Sequence, residues 1–225
     1  MKRQKQMSES LLLGALLAVA GGYLDAYTYI SRDGVFANAQ TGNIVLLGIN
    51  LFQGDFSKVL HYLIPIAAFA LGIIICESIK SRLKESNKFH WRQLIILLEI
   101  IILAIAAFIP SGPANIAVNT MISFVCSLQT GSFRIINGNA IATTMCTGNL
   151  RSGTQQLFLA VKNKNRKNLK NSLSYYSIIL FFTIGAASGA MLTKIINEKS
   201  VLISAAVLVI PFILMFKPSV IISDE

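Results

Sequence analysis

Two short stretches hold most of the residues in this chain that could do chemistry. The first reads GYLDAYTYISRDGVFANAQTGNIVLLG from Gly22 to Gly48, and the second CSLQTGSFRIINGNAIATTMCTGNLRSG from Cys126 to Gly153. Leu24, Asp25 and Gly34 align with Leu128, Gln129 and Gly138. After a two-residue insertion, Thr41-Gly42-Asn43 aligns with Thr147-Gly148-Asn149. A single Thr-Gly-Asn tripeptide says little, but its recurrence behind a matched polar residue and a matched glycine marks an internal repeat. The chemistry on offer is binding. Asn38, Gln40, Thr41 and Asn43 supply side-chain donors and acceptors in the first half, as do Gln129, Thr144, Thr147 and Asn149 in the second. Gly34 and Gly42 allow backbone conformations closed to other residues. Asp25 is a carboxylate able to take a proton or a cation, and Gln129 is its uncharged counterpart. Arg151, directly after the second tripeptide, and Arg134 are candidates to neutralise Asp25 or to attract an anion, unless they snorkel to an interface.

The elements that position these residues follow from composition. Of 225 residues 54% are apolar and 13% charged, with a mean hydropathy of +0.63. A water-soluble domain carries about a quarter charged residues, so the surface needed to face water is missing and an all-α multi-pass membrane protein is predicted. Apolar stretches of spanning length lie at about 11–30, 59–78, 94–110, 113–131, 173–193 and 201–217. Two more, near 36–52 and 139–160, are broken by polar residues and glycine. The opening segment also has signal-peptide character, but its recurrence inside the chain argues against cleavage.

Charge decides how the segments thread. The 20 Lys+Arg against 10 Asp+Glu gather beside apolar stretches: Lys2, Arg3 and Lys5; Lys80, Arg82, Lys84, Lys88 and Arg92; Lys162, Lys164, Arg166, Lys167 and Lys170. Such clusters mark cytoplasmic segments. All three share one side only if the two broken segments re-enter, which predicts six transmembrane helices, two re-entrant half-helices and both termini cytoplasmic. Residues 1–112 and 113–225 then form three-helix repeats of opposite orientation, an inverted 3+3 arrangement within one integral membrane domain.

Non-helical backbone at membrane depth survives only where protein or a water-filled cavity satisfies its amides. A chain that turns at Thr41-Gly42 and continues as a short helix, with a second turn at Thr147-Gly148, meets that condition. Thr41 and Thr147 are then the expected N-caps, with helix amides directed inward. Asp25 inside the first span costs about 2.5–3.5 kcal/mol by insertion scales, which makes it a functional candidate by default. Glu99, in LLEIIILA without a matched partner, reads as a packed, neutral carboxyl. Tyr23, Tyr27, Tyr29, Trp91, Tyr175 and Tyr176 read as interfacial anchors.

Other classes are less well supplied. Cys76, Cys126 and Cys146 are isolated in apolar runs, and His61 and His90 are too far apart for a metal site, so no metal or cofactor is expected. No folded basic face suits nucleic acid. No GxSxG, HExxH or phosphate-cradling GKS/T run is present, and an enzyme is not predicted.

The segments GYLDAYTYI, GVFANAQTGNIVLLG and SLQTGSFRIINGNAIATTMCTGNL resemble the YoaK-type family of bacterial multi-pass proteins, a family of unknown function, over essentially the whole chain. The family's aspartate before a GVF…TGN run maps onto Asp25, Gly34, Phe36, Thr41, Gly42 and Asn43. Its glutamine before a threonine-rich TG run maps onto Gln129, Thr143, Thr144, Thr147 and Gly148. The resemblance implies a bacterial plasma-membrane location and about six spans, and brings no substrate. The leading expectation is a small secondary transporter or channel-like carrier for a small solute or ion, with membrane lipid around it and a homodimer as a compatible assembly. The alternatives are a membrane scaffold and a small lipid-modifying enzyme.

Overall fold

A computed structural model of the chain describes residues 4–5, 7–83, 91–216 and 220–221. Lys2, Arg3, Lys84, Lys88 and His90 lie outside the described residues. Among the described residues eight helices follow in order: α1 (Leu11–Ser31), α2 (Gln40–Gln53), α3 (Phe56–Leu83), α4 (Trp91–Ala106), α5 (Asn115–Ser132), α6 (Cys146–Asn163), α7 (Arg166–Ile196) and α8 (Val201–Leu214). Ser10 caps α1 by accepting from the Leu13 amide at 3.2 Å. Gly54 and Lys164, both left-handed, end α2 and α6. A 3-10 turn at Asn197–Ser200 separates α7 from α8.

Named contacts fix the direction of each long helix. Arg92 at the start of α4 bonds the Ser8 hydroxyl just before α1 at 2.9 Å, and Arg32 just after α1 bonds the Ile109 carbonyl just after α4 at 2.8 Å, so α1 and α4 run parallel. Arg32 also reaches Asn115 at the start of α5 (3.0 Å), and Arg92 reaches the Ser132 carbonyl at its end (3.0 Å), so α5 runs the opposite way. Paired glycine contacts make α7 parallel to α1 and α3 parallel to α5. A Cβ on Gly185 would collide with the Val19 carbonyl, one on Gly189 with Tyr23, and one on Gly131 would lie 2.7 Å from the Cys76 sulfur. The Tyr23 hydroxyl donates to the Ser200 carbonyl at 2.8 Å, so α8 turns back beside α1. The extended pair Gln4–Lys5 and Val220–Ile221 joins the two ends of the chain.

By length and composition, three helical runs could each cross a membrane: Leu11–Ser31, Phe56–Leu83 and the run Arg166–Leu214, which the turn at Asn197–Ser200 folds back on itself. The closest packing joins α1 to α7, α3 to α5 and α6 to α7, and the main core lies among α1, α4, α5 and α8. Tyr23, Tyr27, Trp91 and Tyr175 are buried, which corrects their reading as interfacial anchors. Tyr23 and Tyr27 instead donate hydroxyls across the bundle to Ser200 and Glu198. Arg32 is fully buried; its guanidinium bonds Tyr27, Asn115 and the carbonyls of Ala106 and Ile109, tying together the ends of α1 and α4 and the start of α5.

Two outcomes follow from this packing. Gly185→Val forces α1 and α7 apart and lowers stability by about 1–3 kcal/mol or more, whereas Gly48→Ala in α2, where nothing lies within 4 Å of the added Cβ, leaves it unchanged or slightly raised. Thermal unfolding of the two purified variants measures both. Hydrogen bonds from Ser111 hold the Glu198 carboxyl down from 4.5 to about 2. A depressed carboxylate stabilises the fold above its unfolded value, so this contribution is lost as pH falls from about 4.5 to 2. Over that window Glu198→Gln has a flatter stability profile than the parent.

Candidate functional site

Both non-helical segments fold back to the middle of α1 and meet at one glycine. From the first, Asn38 donates its side-chain amide to the Gly21 carbonyl at 3.1 Å. From the second, the Thr144 methyl lies 2.7 Å from where a Gly21 Cβ would be. Any larger residue at position 21 would push the second segment away.

Matched devices hold the two segments. Each begins with a pair of left-handed residues, Asp33-Gly34 (φ 61° and 74°) and Asn137-Gly138 (φ 49° and 78°). Asn43 donates to the Phe36 carbonyl at 2.8 Å and accepts from the Phe36 amide at 2.9 Å. Asn149 donates to the Ala142 carbonyl at 2.6 Å, again seven residues back. The asparagine of each tripeptide is therefore a clamp on its own segment. Gly42 serves the same local end, because a Cβ there would press on the Phe36 ring at 2.9 Å.

The polar residues that precede the segments differ in charge and share a task. Asp25 is 6% exposed, and its Oδ1 accepts from the Asn38 amide at 2.6 Å, with the amides of Ala37 and Ala39 beside it. Gln129 donates to the Thr143 hydroxyl at 3.3 Å and to the Leu17 carbonyl at 3.2 Å. Thr130 bonds Thr144 at 2.9 Å. In the first half a carboxylate gathers backbone amides; in the second a neutral amide donates.

These parts enclose a cavity of about 600 Å³. Asp25, Asn38, Gln40 and Thr41 line it from the first half, and Thr144, Thr147 and Gly148 from the second, with Tyr29, Phe36, Phe69 and Phe182 as aromatic wall. Its lining on α1 runs from Asp25 to Ile30, so it extends from the middle of the helix toward the end that meets Arg32. Gly42, Asn43, Gln129 and Asn149 support the cavity without lining it, and Arg151 is exposed outside it.

Two expectations need correction. Thr41 and Thr147 are not N-caps: α2 and α6 start one residue before each, behind Ala39 and Met145, with no side-chain cap. The role of gathering free amides before α2 falls to Asp25 instead. Asp25 is not paired with Arg134, which meets Glu77 on α3 at 2.8 Å, nor with Arg151. Glu99 is fully buried in α4, as its apolar setting suggested, and neither carboxyl oxygen has a hydrogen-bond partner among the described residues. Sequence reasoning missed the buried Arg32 and the aromatic wall. Arg32 stands alone in SRDGV, outside any basic cluster, and the wall brings Phe69 and Phe182 to Tyr29 and Phe36 from distant parts of the sequence.

A helical bundle with apolar outer faces, and a largely apolar cavity holding one buried carboxylate where two short helices begin, is the architecture of an integral membrane protein. The chain belongs to the family described as Protein of unknown function (DUF1275), which matches residues 13–214. It is similar to the UPF0700 transmembrane protein YoaK of Bacillus subtilis (strain 168), with 26% identity over 180 residues, covering 76% of this chain and 79% of that protein. No solved structure matches it.

If Asn43 and Asn149 are clamps, Asn43→Ala and Asn149→Ala each strand backbone groups and lower stability by about 1–3 kcal/mol. Asn43→Asp, which keeps the acceptor but sets its second oxygen against the Phe36 carbonyl and Gln40 Oε1, does not recover the loss. Denaturation of the purified variants measures this; unchanged stability in both alanine variants would return the asparagines to the list of ligands.

Proposed function

We propose that this protein is a small secondary transporter or channel-like carrier, working without a catalytic step, whose binding site is the cavity between the two segments. The observation that carries this reading is a buried carboxylate at the foot of a cavity of about 600 Å³, at the meeting point of two half-helices. Broken helices that start near the middle of a bundle are a recurrent transporter device, because they place unsatisfied backbone and helix ends against a solute.

Six crossings, α1, α3, α4, α5, α7 and α8, with α2 and α6 as re-entrant half-helices, complete the proposal. The alternating helix directions support it, as does the placing of the α6–α7 basic cluster and of Arg92 at one end. The inverted repeat has its own support. The α1–α7 contact corresponds to α5–α3, α1–α8 to α5–α4 and α2–α3 to α6–α7, as a two-fold axis between residues 1–112 and 113–225 requires. The left-handed pairs, the asparagine clamps and the left-handed ends of α2 and α6 repeat in the same order. Both termini are proposed to be cytoplasmic, beside the basic segments. With that orientation the cavity extends from Asp25 toward the outer face, and the proposal takes this as an outward-facing state.

The decisive variant is Asp25→Asn, because asparagine retains an oxygen for the Asn38 amide and removes the charge. In liposomes loaded with the transported solute it abolishes flux while the protein stays folded. Wild-type flux from the variant would remove Asp25 from the mechanism, and no flux of any solute from the parent under any imposed gradient would favour a scaffold.

A further inference from the structure

We infer that the cavity takes an organic cation, an amine or quaternary ammonium with an apolar body. This deepens the binding-site reading above and rests on it. Among the described residues Asp25 is the one carboxylate in the lining, and no lysine, arginine or histidine accompanies it. Arg134 is committed to Glu77 and Arg151 is exposed elsewhere. The Asn38 amide offers the carboxylate a hydrogen bond without a compensating net charge. A carboxylate in so apolar a place is stabilised by a proton or by a cation. An anion would enter against it with no cationic side chain to receive it.

The rest of the wall decides which cation. Bare metal ions ask for about six to eight oxygens in the case of calcium, or keep their own water. Here, among the described residues, no three His, Cys, Asp or Glu cluster, and the charged ligand such an ion would find in the lining is Asp25 alone. The cavity that Asp25 lines is also lined by Tyr29, Phe36, Phe69 and Phe182, contributed by α1, the first segment, α3 and α7, with Tyr29 and Phe36 stacked at 4.8 Å between centroids. Ring faces attract alkylated ammonium, which gives up its hydration more readily than a small inorganic ion. A cavity of about 600 Å³ accommodates such a molecule whole.

The test titrates the full-length purified protein with four probes of similar shape: benzyltrimethylammonium, benzylammonium, benzyl alcohol and benzoate, with sodium and potassium chloride as ionic controls. The two ammonium compounds are expected to bind saturably, benzyl alcohol at least about tenfold more weakly, and benzoate and the salts not at all. Asp25→Asn brings the ammonium compounds down to the level of the alcohol. Should that variant fail to fold, Phe69→Leu decides: it keeps apolar bulk, removes a ring face and weakens benzyltrimethylammonium by about two- to thirtyfold, with benzyl alcohol unchanged. Benzoate binding as tightly as the ammonium compounds, saturation by sodium or potassium in their place, or no saturation by either ammonium compound overturns the inference. So does an equal loss of ammonium and alcohol binding in Phe69→Leu. Failure of the carrier reading looks different: ammonium binds with the expected pattern, yet liposomes show no flux. Flux of another solute that the ammonium compounds do not inhibit leaves the carrier standing and removes the cation.

Discussion

Everything at the centre of this protein answers to one constraint: inside a membrane no water is on hand to satisfy a backbone amide. A helix meets that constraint internally, whereas a chain that stops being helical must find acceptors and donors elsewhere in the protein. The two non-helical segments do so with their own nearest polar residues. Asp25 receives the Asn38 amide, Asn43 closes a two-way bond with Phe36, and Asn149 reaches back to Ala142. The Thr-Gly-Asn tripeptide thus becomes intelligible as a folding device. Threonine reaches the cavity, glycine permits close approach or open space, and asparagine replaces the water that is missing.

Much of this architecture was legible because its causes are local. Apolar run length gives the long helices, basic clusters give their common end, and a repeated polar pattern marks the two breaks. Several polar residues of the lining are legible for the same reason, since Asp25, Thr41 and Thr147 are conspicuous in apolar surroundings. Exact helix starts were not legible. α2 and α6 begin at Gln40 and Cys146, before the threonines. The expected cap was a threonine hydroxyl; the observed acceptor for the first segment is a carboxylate on another helix, and a cap supplied through space leaves no mark in the local sequence. Arg32 was hidden for a related reason. Its burial depends on Tyr27, Asn115 and two carbonyls that only the fold assembles. An arginine five residues after a tyrosine is otherwise unremarked.

Glycine explains how the halves come close enough to share one cavity. Gly22, Gly185 and Gly189 let the backbones of α1 and α7 touch, and Gly72 and Gly131 do the same for α3 and α5. Between lipid-exposed helices the hydrophobic effect gives little drive to associate, so close backbone packing must supply the attraction. These two tight pairs carry the segments between them. Gly21 lies in the first pair, where Asn38 and Thr144 both reach it, so the helix contact and the segment contact stabilise each other.

The matched devices make the single charge at Asp25 more informative. If its task were only to hold a segment, a neutral side chain would serve, as Gln129 does in the other half with bonds to Thr143 and Leu17. A carboxylate at this depth carries a solvation penalty that an amide avoids. Its counterpart on α5 is neutral, so the two segments do not face each other with like charges across a short distance, which would add repulsion to desolvation. The framework repeats while the charge does not, and that difference is why the proposed site is centred on Asp25 and not on Gln129.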